Sequence, residues 1–165
     1  MDHVRKKKYV QEFSNNMRQS KKPKITDYDK KPYTRITWIA DFQRFGVDGY
    51  SESMISLMKR RVYDIAGITD PKVSVSLNKY VLKVKTFPDY AKMYLEKNAI
   101  CLSTQLGERW SLCVGLSEDK FEQVSFVNGI ATSKGGKHVD TVTKMLTSAL
   151  KSQIKKRAKR DVNET

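Results

Sequence analysis

The strongest constraint on the fold lies near the end of the sequence. Val139, Val142, Leu146, Ala149, Leu150 and Ile154 recur at spacings of three and four, with Met145 beside them. Only a helix brings such positions onto one face, and the pattern spans roughly five turns. Its last turn reads Lys155, Lys156, Arg157, Ala158, Lys159, Arg160, five cations in six positions. A helix dipole favours cations at its C-terminal end, by about 0.3–1 kcal/mol each, but does not require five. Contact with a polyanion is the sharper reading, and charge alone leaves both open.

Upstream, β-branched and aromatic residues alternate over Tyr33–Ile39, which predicts a strand. A loop with Gly46 and Gly49 follows, then a helix beginning near Ser51 or Ser53, either of which can cap it. Met54, Ile55, Met58, Val62 and Ile65 fall on its apolar face, and Gly67 is placed to end it. Lys72–Leu77 and Tyr80–Val84 predict a hairpin turning at Asn78–Lys79. Phe87–Tyr94 predicts a short helix containing Pro88. Polar, aperiodic Leu95–Glu108 is expected to be a connection between domains. Trp110–Leu116 and Lys120–Val127 are expected to pair through a turn at Ser117–Asp119. Near the start, Lys8–Phe13 predicts a strand and Ser14–Lys24 a loop. Trp38 and Trp110 are expected in the core. The order of elements is α/β or α+β.

Composition bounds the function. The 165 residues carry 39% hydrophobic residues, enough for one ordinary domain or parts of two. The net charge of +14 is uneven. Residues 1–31 hold +6 and residues 151–165 hold +4, so the middle resembles an ordinary surface. A polyanionic partner follows, nucleic acid first. No run of about 18 apolar residues offers a membrane span, and the charged start is not a secretory signal. Cys101 and Cys113 form neither a disulfide framework nor a metal pattern, and read as free thiols of a reducing compartment. His3 and His138 give little material for a metal site or a triad, and His138 reads as a histidine of a helix's first turn. Asp41 and Asp64 lack the spacing of an acid–base pair. Ser133–Lys137, S-K-G-G-K, could face an anion with glycine N–H groups, yet it lacks the phosphate-loop spacing. A structural turn into the helix is its commoner meaning. Lys6–Lys8 and Lys21–Lys22 read as solvated charge. No catalytic constellation is visible.

The sixteen residues Ser125–Asp140, S-F-V-N-G-I-A-T-S-K-G-G-K-H-V-D, resemble the transducer signature of type IIA DNA topoisomerases in their eukaryotic and large-DNA-virus form. Gly107–Val114, Phe121–Ser125, Tyr33–Trp38, Asp41–Gly46, Ile55–Ala66 and Val84–Tyr90 are similar to neighbouring stretches of that family, in the expected order. So is Tyr9–Met17, and the resemblance covers about residues 5–157. It implies the end of a gyrase-type ATPase sandwich over residues 1–95. The first hairpin and long helix of a ribosomal-protein-like transducer domain would follow over residues 96–165. It implies a segment of an ATP-hydrolysing enzyme that changes DNA topology by strand passage, coupling the ATPase gate to DNA. It places DNA contact on Lys155, Lys156 and Arg157. ATP and Mg would be bound by the full-length homodimer, in the nucleus or a cytoplasmic viral factory. The segment itself is expected to hold neither, because the family's ATP-contacting and DNA-cleaving motifs lie outside the matched region. A stand-alone basic nucleic-acid-binding module from a truncated gene is the alternative. Strands separated from the sheet they should join are expected to expose their edges.

Overall fold

The computed structural model describes residues 4–117 and 120–158. It is α+β, with three α-helices and five two-stranded antiparallel sheets among the described residues. The chain divides into two compact units, residues 1–51 and 52–165.

The first unit is built on a β-ribbon. Strand β1 (Lys7–Val10) pairs with β4 (Lys24–Asp27), and β2 (Phe13–Ser14) pairs with β3 (Gln19–Ser20). The tip is reversed by Asn15, Asn16 and Met17, all at positive φ. Asparagine tolerates that region, which is why Asn-Asn marks the turn. The loop expected over Ser14–Lys24 is therefore the returning arm of the ribbon. Beyond it, Tyr33–Ile39 joins no ladder among the described residues, despite its alternating pattern. Alternation prepares a strand, but a ladder needs a partner whose N–H and C=O groups meet its own. Trp38 is 62% exposed and meets Tyr50 edge-on, and Tyr50 also packs on Phe42. A single 3-10 turn over Gln43–Phe45 closes at Gly46, whose left-handed φ of 64° lets its N–H reach the Gln43 carbonyl.

The second unit is centred on helix α1 (Glu52–Ile68) and helix α2 (Phe87–Ala91). Helix α1 starts directly after Ser51, as the serine pair suggests. Its expected apolar face at Met54, Ile55 and Met58 remains exposed. Burial falls instead on the last turns, at Asp64, Ala66 and Gly67. Gly67 is not the helix terminator its position suggests. It lies inside the helix, and a Cβ there would sit 2.5 Å from the Tyr90 Cβ. Its missing side chain lets α2 close on α1. Thr86 caps α2 by accepting the Asp89 N–H at 3.2 Å, and Pro88 occupies the first turn, where no N–H is needed. Between the helices, β5 (Ser76–Leu77) and β6 (Tyr80–Val81) meet at the predicted Asn78–Lys79 turn, both residues at positive φ.

Strand β7 (Cys101–Leu106) occupies the segment expected to be a connection, and it pairs residue for residue with β8 (Trp110–Gly115). The expected partner of β8, Lys120–Val127, contributes only β9 (Phe126–Val127), which folds onto β10 (Ile130–Ala131). Asn128 and Gly129, both at positive φ, turn that small hairpin. The turn expected at Ser117–Asp119 includes residues outside those described. Strand β7 carries Ser, Thr and Gln, polar residues that hid it from a hydrophobicity pattern. Trp110 ends the β7–β8 ladder at 43% exposure rather than in a core. Helix α3 (Lys137–Ala158) closes the described chain and is the helix its periodicity predicts.

Tyr90 is the packing centre of this unit, 2% exposed. Its ring stacks on Phe87 and meets Phe126 and Tyr94 edge-on. Replacing Gly67 with Ala should force this contact apart and cost about 1–3 kcal/mol, read as a lower urea midpoint. An unchanged midpoint would mean that α2 can shift freely. The many exposed apolar side chains, Ile36 and Ile39 among them, should drive concentration-dependent association in sedimentation runs. A sharp monomeric melt independent of concentration would contradict this.

Candidate nucleic-acid interface

Helix α3 is anchored by the segment that leads into it. The Thr132 N–H donates to the Ser125 carbonyl, and the Gly135 N–H donates to the Thr132 carbonyl. Gly136, at φ 148°, supplies the carbonyl that receives the Val139 and Asp140 N–H groups. No residue with a side chain adopts that backbone easily, and a Cβ there would meet the His138 ring at 3.1 Å. Gly-Gly is therefore a structural turn into the helix, and the Gly135 N–H is engaged within the chain rather than turned toward an anion. His138 lies in the first turn, half-buried. Its Nε2 is 3.1 Å from the Thr132 hydroxyl and 3.3 Å from the Ser125 hydroxyl. Gln123 donates from its amide to the carbonyls of Thr132 and Ser133, closing the cluster. These polar groups fix one loop and present no acid–base pair.

The helix is two-sided along its whole length. Val139, Val142, Leu146, Leu150 and Ile154 lie on one side. At 3.6 residues per turn, Lys137, Lys144, Lys151 and Lys155 fall within an arc of about 40° on the opposite side. This row spans roughly 27 Å at 1.5 Å per residue. Its sequence signal is a heptad-like spacing of lysines on the face opposite the apolar pattern. Of the three expected contacts, Lys155 ends the row. Lys156 stands beside it, and Arg157 falls on the apolar side. All three are exposed. Arg157 lines an open concavity of about 400 Å³ with Leu150, Gln153, Ile154 and Ala158. Lys159 and Arg160, which completed the cluster in the sequence, lie outside the described residues. The arrangement can bind a linear polyanion. It contains no group placed for covalent chemistry.

Asp64, which has no acid–base partner at a suitable spacing in the sequence, is 4% exposed and bound from several sides. The Tyr90 hydroxyl donates to its Oδ1 at 2.6 Å. Because that proton is committed, the hydroxyl of Tyr94, 2.6 Å from Tyr90's, donates in turn. Arg61 donates to Oδ2 at 3.3 Å, and Arg60 approaches Oδ1 at 3.9 Å. Burial, then the hydrogen bond to Asp64, raises the Tyr90 hydroxyl well above its ordinary pKa, so it stays protonated. Arg61 reaches further and donates to the Gly129 carbonyl in the β9–β10 turn. The i, i+3 and i, i+4 placement of Arg61 and Arg60 before Asp64 was the available sequence signal, reversed so that the cations precede the acid. On the β7–β8 ladder, Cys101 opposes Gly115 and Ser103 opposes Cys113, so the two cysteines are diagonal on one face. Both are free. Burial, with Cys101 alongside, pushes the Cys113 thiol up to about 11, which keeps it a neutral thiol.

Among the described residues no three His, Cys, Asp or Glu side chains converge as metal ligands, and no helix is long and apolar enough to cross a membrane. Asp41 accepts from the Arg44 N–H and the Asn16 side chain, a local turn contact.

Residues 75–165 match the family model described as DNA gyrase B. DNA topoisomerase 2 of Arabidopsis thaliana is 40% identical over 167 residues, which take in 96% of this chain and 11% of that protein. A probable DNA topoisomerase 2 of Dictyostelium discoideum is 42% identical over 163 residues, with 96% and 11% covered. The chain thus spans about a ninth of the length of these relatives. The ATPase region of Saccharomyces cerevisiae topoisomerase II, solved with dexrazoxane, superimposes with a TM-score of 0.85 at 38% identity over 94% of this chain and 42% of that one. The ATPase and transducer domains of DNA topoisomerase II from Balamuthia mandrillaris give 0.74 at 26% identity, covering 94% and 40%. With kinship to topoisomerase II running through sequence and fold alike, the chain belongs to the DNA gyrase B family of type II DNA topoisomerases and corresponds to a segment of their ATPase region.

Proposed function

We propose that this segment serves an ATP-hydrolysing, DNA strand-passing enzyme by carrying the state of its ATPase gate to DNA. In this reading residues 1–95 end the ATPase domain and residues 96–165 begin the transducer. Lys155, Lys156 and Arg157 contact DNA. The enzyme acts as a homodimer in the nucleus, in keeping with its eukaryotic relatives.

The observation that carries the reading is the amphipathic form of α3. A row of lysines runs along one side to Lys155, where Lys156 follows in the last turn and Arg157 adds a cation on the apolar side. Lysines are point charges on flexible stems, suited to phosphate rather than base edges. The start of α3 is tied through the β9–β10 turn and Arg61 to α1, which gives a rigid route between the two proposed domains. ATP and Mg belong to other segments of the enzyme. The Gly135 N–H, which could have faced an anion, is engaged by the Thr132 carbonyl.

Two measurements test the proposal. Replacing Lys155, Lys156 and Arg157 with Gln should flatten the log–log salt dependence of duplex binding by about 2.7, at about 0.9 per lost phosphate contact. In the intact enzyme the same changes should lower DNA stimulation of ATP hydrolysis and spare the basal rate. Equal loss of both rates would point to misfolding and end the DNA-contact assignment.

A further inference from the structure

The first unit carries its own cationic surface, and its ion pairs show which lysines remain available. Lys7 is bound to Asp27, and Lys21 to Glu12. The second pair holds the Lys21 ammonium above its ordinary pKa and the Glu12 carboxyl below its own, each chiefly through the hydrogen bond between them. Lys6, Lys8, Lys24, Lys30 and Lys31 make no such pair among the described residues.

Three of these converge at the open end of the ribbon. Lys6, Lys30 and Lys31 line a concavity of about 290 Å³ with Tyr28, Asp29 and Pro32. The backbone that presents them is fixed. The Tyr28 N–H donates to the Lys6 carbonyl at 2.8 Å, and the Tyr28 hydroxyl donates to the Lys31 carbonyl at 3.3 Å. Tyr28 meets Tyr33 edge-on at 5.9 Å, and the Arg35 guanidinium covers the Tyr33 ring at 5.3 Å. All three lysines are exposed. Asp29 is the one acid among the lining residues, so three cations outnumber it and the concavity favours an anion. Along the ribbon, Lys8 opposes Thr26 and Lys24 opposes Val10, so Lys8 and Lys24 share one face on a diagonal.

We propose that Lys6, Lys30 and Lys31, extended by Lys8 and Lys24, form a second contact for the phosphate backbone of duplex DNA. This contact lies in a different unit from α3 and does not depend on the α3 assignment. The tyrosines argue for duplex rather than single strand. Their rings are half-buried, occupied by each other and by Arg35, and offer no free platform on which bases would stack. A lysine ammonium is a compact point charge without a planar fork, a form that suits phosphate contact.

The test uses the whole 165-residue chain and a labelled duplex of mixed sequence, with binding followed by anisotropy across a salt series. The combined Lys6→Gln, Lys30→Gln and Lys31→Gln variant should flatten the log–log salt slope by about 2.7. The ion-paired control Lys21→Gln should change it by less than one contact. Circular dichroism checks that the ribbon persists, and Lys31→Gln alone, expected to remove about 0.9, serves if the combined variant unfolds. An unchanged slope overturns the inference, as does an equal effect per lysine in the control. An effect confined to a poly-dT single strand also overturns it. A loss on changing the α3 cations with none on changing Lys6, Lys30 and Lys31 removes this contact and keeps the α3 one. The converse keeps this contact and removes the other.

Discussion

The hydrogen bond between Tyr90 and Asp64 is the contact on which the second unit depends. A carboxylate at 4% exposure would be costly without donors, and a phenol at 2% exposure would be costly without an acceptor. Each removes the other's cost at 2.6 Å. The bond forms only because Gly67 lets the Tyr90 ring lie against α1. A glycine, an acid and a tyrosine, each a poor predictor of burial by itself, together make the core. Ala66 and Tyr90 are the only apolar residues that are fully buried among those described. Polar satisfaction therefore matters more here than apolar area.

From this centre two lines of contact leave. One runs through Arg61, which holds Asp64 with one guanidinium nitrogen and the Gly129 carbonyl with another. The other runs through Phe126, whose ring meets Tyr90 at 5.7 Å. Both end in the β9–β10 hairpin, the element just before the Ser125–His138 hydrogen bonds and the start of α3. The Thr132–Ser125 and His138–Thr132 contacts then orient the helix. Directional hydrogen bonds and close ring contacts make this route stiff, since neither tolerates small displacements. A movement of α1 would thus be delivered to the base of α3 rather than absorbed on the way.

What was legible in the sequence follows from range. Helix α3, helix α1 and the Asn78–Lys79 turn depend on residues within a few positions of each other, and local patterns found them. The Ser125–Asp140 stretch was legible as a motif, and its Gly-Gly turn behaves as a turn. Pairings were not legible. Nothing in Trp110–Gly115 indicates that its partner is Cys101–Leu106, which precedes it, rather than Lys120–Val127, which follows. Tyr33–Ile39 has every property of a strand except a partner among the described residues, and Trp38 is exposed. The Lys155–Arg157 cluster was visible as charge, but its continuation through Lys151, Lys144 and Lys137 required counting the polar side of a helix already assigned by its apolar one.

The same counting explains why the cations of α3 suit an extended partner better than a point ligand. If they served only the helix dipole, they would concentrate in the final turn, where the partial negative charge resides. Lys137 stands at the opposite end, where that dipole disfavours a cation, and Lys144 and Lys151 lie between, where it is indifferent. Solubility alone would not align them, since a mixed surface of both signs would serve as well. The row stands opposite the apolar face, with Lys137, Lys144 and Lys155 exposed and Lys151 half-buried. A row roughly 27 Å long presents its charges to a partner that is itself a line of charges. In the first unit the lysines instead gather around a concavity at the root of a ribbon. The two units thus present their cations with different geometry, one by length and one by convergence, and the two proposed contacts would contribute separately to salt dependence.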